Sequence, residues 1–163
     1  MSSNKTILLI GQCGTGKTWV MKQLIGTFDK IERCRIGLIK FVLSDGVAVL
    51  GDYDGSMFEG SDRLSMAVMS SCDALRLCQI KHNFTIVCEG DRFMNSTFIS
   101  KMKPVVIKIT DSGELGRMAR GSSQTERHIK SVATRVANIK ADYIVPDSNR
   151  AYQTIKEILN EKN

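Results

Sequence analysis

Short apolar runs alternate with longer amphipathic stretches along this chain. A turn signal, Ser44-Asp45-Gly46, separates two strand-like segments and predicts a hairpin. Short apolar runs bounded by turn residues are typical of buried strands. The pattern predicts strands at residues 5–10, 36–43, 47–50, 85–88, 104–110 and 143–145.

The segments between these strands carry apolar residues at helical spacing. Ser61 or Asp62 is expected to cap one helix, and the capping box from Ser123 to Glu126 is expected to open another. Helices are predicted over residues 17–28, from 61 or 62 onward, over 96–102 and 112–120, after 123, and from about 149. Strands alternating with helices predict an α/β fold with three layers, a mainly parallel five-stranded sheet and helices on both faces. At 163 residues, we expect one domain over 1–163.

The composition is that of a globular domain, with 42% apolar and 25% charged residues. No apolar run approaches the roughly 20 residues of a membrane span, so no membrane partner is expected. Residues 1–5 lack the features of a secretory signal. The cysteines are odd in number and form no C-x-x-C pair, which indicates reduced residues in a cytoplasmic protein. They are Cys13, Cys34, Cys72, Cys78 and Cys88.

The positive charge is concentrated in one segment. Residues 101–140 contain nine basic and three acidic residues, and the remaining 14 basic and 14 acidic residues balance, so the net charge of +6 lies in this segment. Such an excess is typical of binding to the phosphates of a nucleotide or a nucleic acid. A solvated helix face is the alternative interpretation.

Residues 11–18, with the sequence GQCGTGKT, match the pattern G-x-x-x-x-G-K-[ST] between a predicted strand and a predicted helix. In such a loop the backbone amides bind phosphate, Lys17 reaches the β- and γ-phosphates, and the Thr18 hydroxyl binds Mg²⁺. We therefore expect ATP and Mg²⁺ as cofactors. The predicted nucleotide-binding residues are Gly11, Gln12, Cys13, Gly14, Thr15, Gly16, Lys17 and Thr18. A GTPase is not indicated, because the chain has no N-K-x-D signature.

Carboxylates and arginines follow the strands that end near this loop. Ligands of open parallel sheets bind at the carboxyl ends of the strands. A carboxylate there accepts a proton from an attacking hydroxyl or holds the Mg²⁺ shell. Asp91 and Asp54 rank together as candidate bases, with Glu89 and Asp52 behind them. Glu89 and Asp52 are also candidates for substrate binding. Arg92 is expected to contact a phosphate, and a surface ion pair with Asp91 is the alternative. Asp62 and Arg63 are candidates for substrate binding. For Asp62, a role in a turn or as a helix cap is the alternative.

The strand, the glycine-rich loop and the triplet Asp91-Arg92-Phe93 resemble the nucleoside and nucleotide kinases, thymidylate kinase among them. The resemblance implies a P-loop NTPase fold with strand order 2-3-1-4-5. It places the Asp-Arg pair between acceptor and phosphate donor. It also implies a lid over about residues 112–130, in which Arg117, Arg120 and Arg127 approach the transferring phosphoryl group.

Two further runs, residues 49–54 and 58–66, look like small bacteriophage P-loop kinases that phosphorylate 5-hydroxymethyluracil in DNA. This resemblance implies transfer of the γ-phosphate of ATP to the hydroxymethyl group, with DNA as a partner. The chain departs from ordinary nucleotide kinases, because it is shorter and residues 36–50 have a hairpin pattern. A kinase for a free nucleoside or nucleotide, and a nucleotide-binding regulator without phosphotransfer, remain alternatives.

Overall fold

A mixed sheet of seven strands forms the centre of the protein in a computed structural model, which describes residues 4–55, 59–121 and 124–161. Its order is β2-β3-β4-β5-β1-β6-β7. The strands are β1 (Thr6–Ile10), β2 (Glu32–Ile36), β3 (Ile39–Ser44), β4 (Val47–Leu50), β5 (Thr85–Glu89), β6 (Val105–Ile109) and β7 (Tyr143–Val145).

The parallel part of the sheet consists of β4, β5, β1, β6 and β7, in that order across the sheet. The α/β class is confirmed, and these five strands follow the expected order. The expected count of five strands is wrong, because β2 and β3 extend the sheet by antiparallel pairing beyond β4. The sheet is therefore mixed.

The hairpin predicted around Asp45 and Gly46 is confirmed between β3 and β4. Both turn residues have positive φ, at 47° and 77°, which is the conformation that favours asparagine, aspartate and glycine in tight hairpins. The single strand expected over residues 36–43 is wrong. The chain turns at Gly37, whose φ is 57°, and this turn divides the segment between β2 and β3.

Six helices are present in the described residues: α1 (Lys17–Gly26), α2 (Cys72–His82), α3 (Ser96–Met102), α4 (Glu114–Arg120), α5 (Glu126–Asn138) and α6 (Ser148–Asn160). The prediction for α3 is confirmed. The helix expected from residue 61 or 62 begins only at Cys72, because two short 3-10 turns, Ser61–Arg63 and Val68–Ser71, precede it. Thr125 caps α5 by accepting from the backbone of His128, whereas the expected cap at Ser123 lies outside the described residues.

Helices cover both faces of the sheet. On one face α1 and α6 bury Val20, Met21, Leu24, Ala151, Ile155 and Ile158 against the sheet. On the other face α2, α3 and α5 bury Cys72, Leu75, Phe98, Met102, Val132 and Val136. Each core strand contributes alternate side chains to the two faces, as Leu8 and Leu9 do from β1. The protein thus has three layers.

All five cysteines lie within the described residues, and none of them forms a disulfide. None of the helices that the structure describes has the length and apolar character required to cross a bilayer.

Candidate functional site

The glycine-rich loop at residues 11–18 connects β1 to α1 at the carboxyl edge of the parallel strands. Gly14 and Gly16 have φ of 85° and 88°, a region in which side chains are disfavoured. α1 begins at Lys17, and within the described chain no side chain caps its N-terminus. The amides of its first turn are therefore suited to an anion.

The start of α4 packs directly on this loop. A Cβ atom on Gly113 would collide with the carbonyl oxygen of Cys13, and one on Gly116 would collide with that of Gly14. Arg117 Nη1 donates to the carbonyl oxygens of Cys13 at 2.7 Å and Ser112 at 2.9 Å. The loop is consequently supported from outside by backbone packing and by a guanidinium group.

Lys17 is folded back onto its own loop. Its Nζ donates to the carbonyl oxygens of Gly11 at 3.0 Å and Gln12 at 2.9 Å. Burial lowers the pKa of Lys17, and the nearby carboxylate of Glu89 opposes this shift. An ammonium group that is partly removed from water next to free helix amides is placed to meet a phosphate.

Glu89, the last residue of β5, lies at the centre of the site and is only 4% exposed. Its Oε1 accepts from Ser61 Oγ at 2.9 Å and from Thr18 Oγ1 at 3.3 Å. Burial raises the pKa of Glu89, while the charge of Lys17 and these two hydrogen bonds oppose that rise. Glu89 was expected to contact substrate; the structure places it beside the Thr18 hydroxyl.

A carboxylate and a hydroxyl are hard oxygen donors, which suit Mg²⁺ when a nucleotide supplies further oxygens. Thr18 and Glu89 therefore fit the cation that the loop implies. Within the described residues, no group of three or more histidine, cysteine, aspartate or glutamate side chains is arranged to hold a metal ion. Thr18 and Glu89 would thus supply two oxygen atoms to such a cation.

A short antiparallel bridge between Asp52 and Gly60 brings Ser61 to Glu89. The two backbone hydrogen bonds of this bridge measure 3.0 and 2.8 Å. A Cβ atom on Gly60 would lie 3.2 Å from Thr18 Cγ2, so the bridge approaches α1 closely. The segment after β4 is therefore held against the glycine-rich loop.

Ion pairs connect the other candidate acids near β4 to neighbouring cations. Arg63 Nη1 lies 2.5 Å from Asp54, and its Nη2 lies 3.9 Å from Asp52. Lys40 Nζ lies 3.0 Å from Asp52. Burial is the largest cause of the pKa shifts of Lys17 and Glu89. The negative charge of Asp62 also raises both pKa values, which shows that Asp62 lies nearer the loop.

Asp91 and Arg92 follow β5 and contact different elements. Arg135 from α5 forms an ion pair with Asp91, and Arg92 Nη1 lies 3.9 Å from the same carboxylate. Arg92 also donates to the backbone carbonyl of Leu64 at 3.2 Å and to that of Asp62 at 3.3 Å. The predicted Asp-Arg pair therefore joins α5 to the segment after β4.

Arg120 and Arg127, the other two expected lid arginines, lie on either side of the break between α4 and α5. Arg120 ends α4, Arg127 is the second residue of α5, and both side chains are exposed. Residues 122 and 123 between them lie outside the described chain.

Two contributors to this site were not expected from the sequence. Ser61 was considered only as a helix cap, and Gly116 was not considered. No local sequence pattern identifies either residue as part of the site. The Asp52–Gly60 bridge brings Ser61 to Glu89, and the role of Gly116 follows from the packing of α4 on the loop.

No protein-family model matches the chain, and no curated protein matches it. The interpretation of the site therefore rests on the residues and contacts described above.

Proposed function

We propose that this chain is an ATP-dependent kinase with a P-loop NTPase fold, which transfers the γ-phosphate of ATP to a hydroxyl group. One observation carries the proposal: Lys17, Thr18 and Glu89 converge where β1 and β5 end. These residues combine an ammonium group, a hydroxyl and a buried carboxylate with the N-terminus of α1. Phosphoryl transfer relies on such positioning and charge stabilisation.

ATP with Mg²⁺ supplies the phosphoryl group and the divalent charge in this reaction. The chain supplies the surroundings: the loop amides and α1 bind phosphate oxygens. Lys17 exchanges its two carbonyl contacts for phosphate contacts, and Glu89 orients the Thr18 hydroxyl through their hydrogen bond. Arg120 and Arg127 stabilise the charge of the transferring group when the proposed lid closes.

The acceptor that we propose is the hydroxymethyl group of 5-hydroxymethyluracil in DNA. The two runs that resemble the phage kinases support this choice, because the bridge from Asp52 to Gly60 and the contact of Ser61 with Glu89 place parts of both runs at the site. The carboxylates of Asp91 and Asp54 near this edge favour an enzyme over a regulator, which needs no base.

The test is incubation with ATP labelled at the γ-phosphate, offering duplex DNA that contains hydroxymethyluracil beside the free nucleoside. We expect label in the DNA. Lys17→Ala removes the charge that meets the phosphates and should lower transfer by at least about 10²-fold, which is typical of losing one electrostatic stabiliser. Lys81→Ala is the matched control, since Lys81 is exposed on α2.

Near-normal transfer by Lys17→Ala would overturn the role of the loop. Labelling of the nucleoside alone would replace the DNA acceptor with a free one. No labelling of either acceptor, with a thermal shift by ATP and Mg²⁺ retained, would indicate a nucleotide-binding regulator.

A further inference from the structure

The hairpin of β2 and β3 carries basic side chains on one face. β2 is the outermost strand on its side of the sheet, and Arg33 and Arg35 are both exposed. Arg33 pairs with Val42, and Arg35 pairs with Lys40. Because directly opposite residues in a sheet project to the same face, Arg33, Arg35 and Lys40 share the face on which Val42 is buried.

The pairing of Arg35 with Lys40 places two positive charges side by side. Opposite residues have Cβ atoms about 4.5–5.5 Å apart, and like charges there are destabilising. In the part of the chain that the structure describes, neither Arg33 nor Arg35 has a carboxylate partner. Arg35 Nε donates to the carbonyl oxygen of Gly37 at 2.9 Å, which leaves its charge uncompensated.

This basic face adjoins the proposed acceptor side of the site. Arg33 Nη2 donates to the carbonyl oxygen of Tyr53 at 3.3 Å, and Lys40 pairs with Asp52. Tyr53 and Asp52 belong to the segment that runs from β4 through the bridge to Ser61 and Glu89. A polyanion on the hairpin would thus lie next to the reacting edge.

Three cations of the basic segment at residues 101–140 are held in ion pairs. Lys101 lies 2.8 Å from Asp73, and Lys130 lies 3.1 Å from Glu126. Arg135 is paired with Asp91. These three cations are therefore less available to a polyanion than Arg33 and Arg35.

We propose that the face formed by Arg33, Arg35 and Lys40 binds the phosphate backbone of the DNA substrate. The inference rests on the proposed function for its acceptor. Phosphate contacts position a nucleic acid without reading its sequence. The hairpin holds the strand while the base to be modified reaches the site, and backbone phosphates compensate the charges of Arg33 and Arg35.

The test measures binding of unmodified DNA by fluorescence anisotropy at several salt concentrations, without ATP. The double variant Arg33→Gln/Arg35→Gln should flatten the log–log salt slope by roughly one unit per lost contact, hence by about two units. Lys101→Gln/Lys130→Gln is the matched control, because it removes the same charge from paired lysines. We expect its slope to stay near that of the unmodified protein.

A second variant, Arg35→Glu, guards against misfolding. It places opposite charges on the hairpin, so the fold should be at least as stable while DNA affinity falls further. Equal slopes for the two double variants, or an Arg35→Glu protein that binds DNA normally, would overturn the inference.

Phosphotransfer to DNA and to the free nucleoside is measured separately. If the hairpin variants lose DNA binding but the unmodified protein phosphorylates no DNA, the proposed acceptor fails and the binding surface stands. If DNA is phosphorylated and the hairpin variants bind it normally, the proposed acceptor stands and the binding surface fails.

Discussion

At the scale of single residues, two opposite charges are removed from water beside each other. Burial lowers the pKa of Lys17 and raises that of Glu89, although each charge partly compensates the other. Both shifts oppose the ionised form, so burying these two charges costs stability. Phosphate and cation would relieve that cost, which couples nucleotide binding to stability.

Glu89→Gln tests this coupling through pH. Because the folded pKa of Glu89 lies above its ordinary value of 4.5, the folded protein keeps a proton that the unfolded chain has released, and the free energy of unfolding falls as pH rises toward the folded pKa. The variant should lack this fall, so its melting temperature should change less between about pH 4 and pH 8 than that of the unmodified protein.

Thermal melts between about pH 4 and pH 8 measure the difference. Melting curves that shift in parallel over this range would show that Glu89 does not titrate as inferred. In assays of activity, the variant should need about 10–100-fold more Mg²⁺, as expected when a group that orients a metal ligand is lost.

The proton acceptor is a second question at this scale. Both carboxylates form ion pairs, Asp91 with Arg135 and Asp54 with Arg63, but Asp91 is only two residues beyond Glu89. We expect Asp91→Asn to lower the rate by about 10²–10⁴-fold, the usual cost of losing a general base, with nucleotide binding retained. Single-turnover rates for Asp91→Asn and Asp54→Asn measure this. A large loss in Asp54→Asn alone would move the base to Asp54.

At the scale of elements, local patterns predicted the parts of the fold that local chemistry determines. β1 is an uninterrupted apolar run, and Asp45-Gly46 has the conformational preferences of its turn. β2 was missed because three of the five residues in its sequence, ERCRI, are charged and exposed. As an edge strand it packs only Cys34 and Ile36 against the core. The chain forms it through pairing with β3.

At the start of α2 the error was an overprediction, because a helix was expected where the chain forms 3-10 turns. Leu64, Val68, Cys72 and Leu75 have helical spacing and are all buried, yet the first two lie in or beside 3-10 turns. The predicted buried face is correct for these four residues and wrong for Ala67, which is exposed, and the two 3-10 turns were not predicted. The same distinction applies to the site. The loop at residues 11–18 can be predicted from its local sequence, whereas the contact between Ser61 and Glu89 depends on the tertiary structure.

The proposed lid is tested at this scale. Arg120 and Arg127 are exposed in this structure, so their contacts with the transferring group would form mainly on closure. Arg120→Ala or Arg127→Ala should lower the catalytic rate constant more than the affinity for ATP. Arg150→Ala on α6 is the control, since Arg150 is exposed there. Weaker ATP binding with an unchanged rate constant would contradict the lid.

At the scale of the whole molecule, parallel pairing collects the functional segments at one edge of the sheet. The chain leaves β1, β4, β5, β6 and β7 in the same direction, so the loops that follow them are neighbours. Gly16 illustrates how close they come: a Cβ atom there would lie 3.0 Å from that of Ser148 at the start of α6. Segments distant in sequence thus form one site.

The packing of α4 on the glycine-rich loop determines where this chain tolerates a change in length. Each residue advances a helix by about 100°. One alanine inserted between Ser112 and Gly113 would therefore turn Gly116 away from Gly14 and place side chains against the loop. The same insertion after Gly121, where a Cβ would meet nothing within 4 Å, should leave melting and the thermal shift by ATP unchanged. If both insertions are tolerated equally, the backbone contact between α4 and the loop does not constrain the length of the chain. If only the insertion after Gly121 is tolerated, residues can be added to this protein after Gly121 but not before α4.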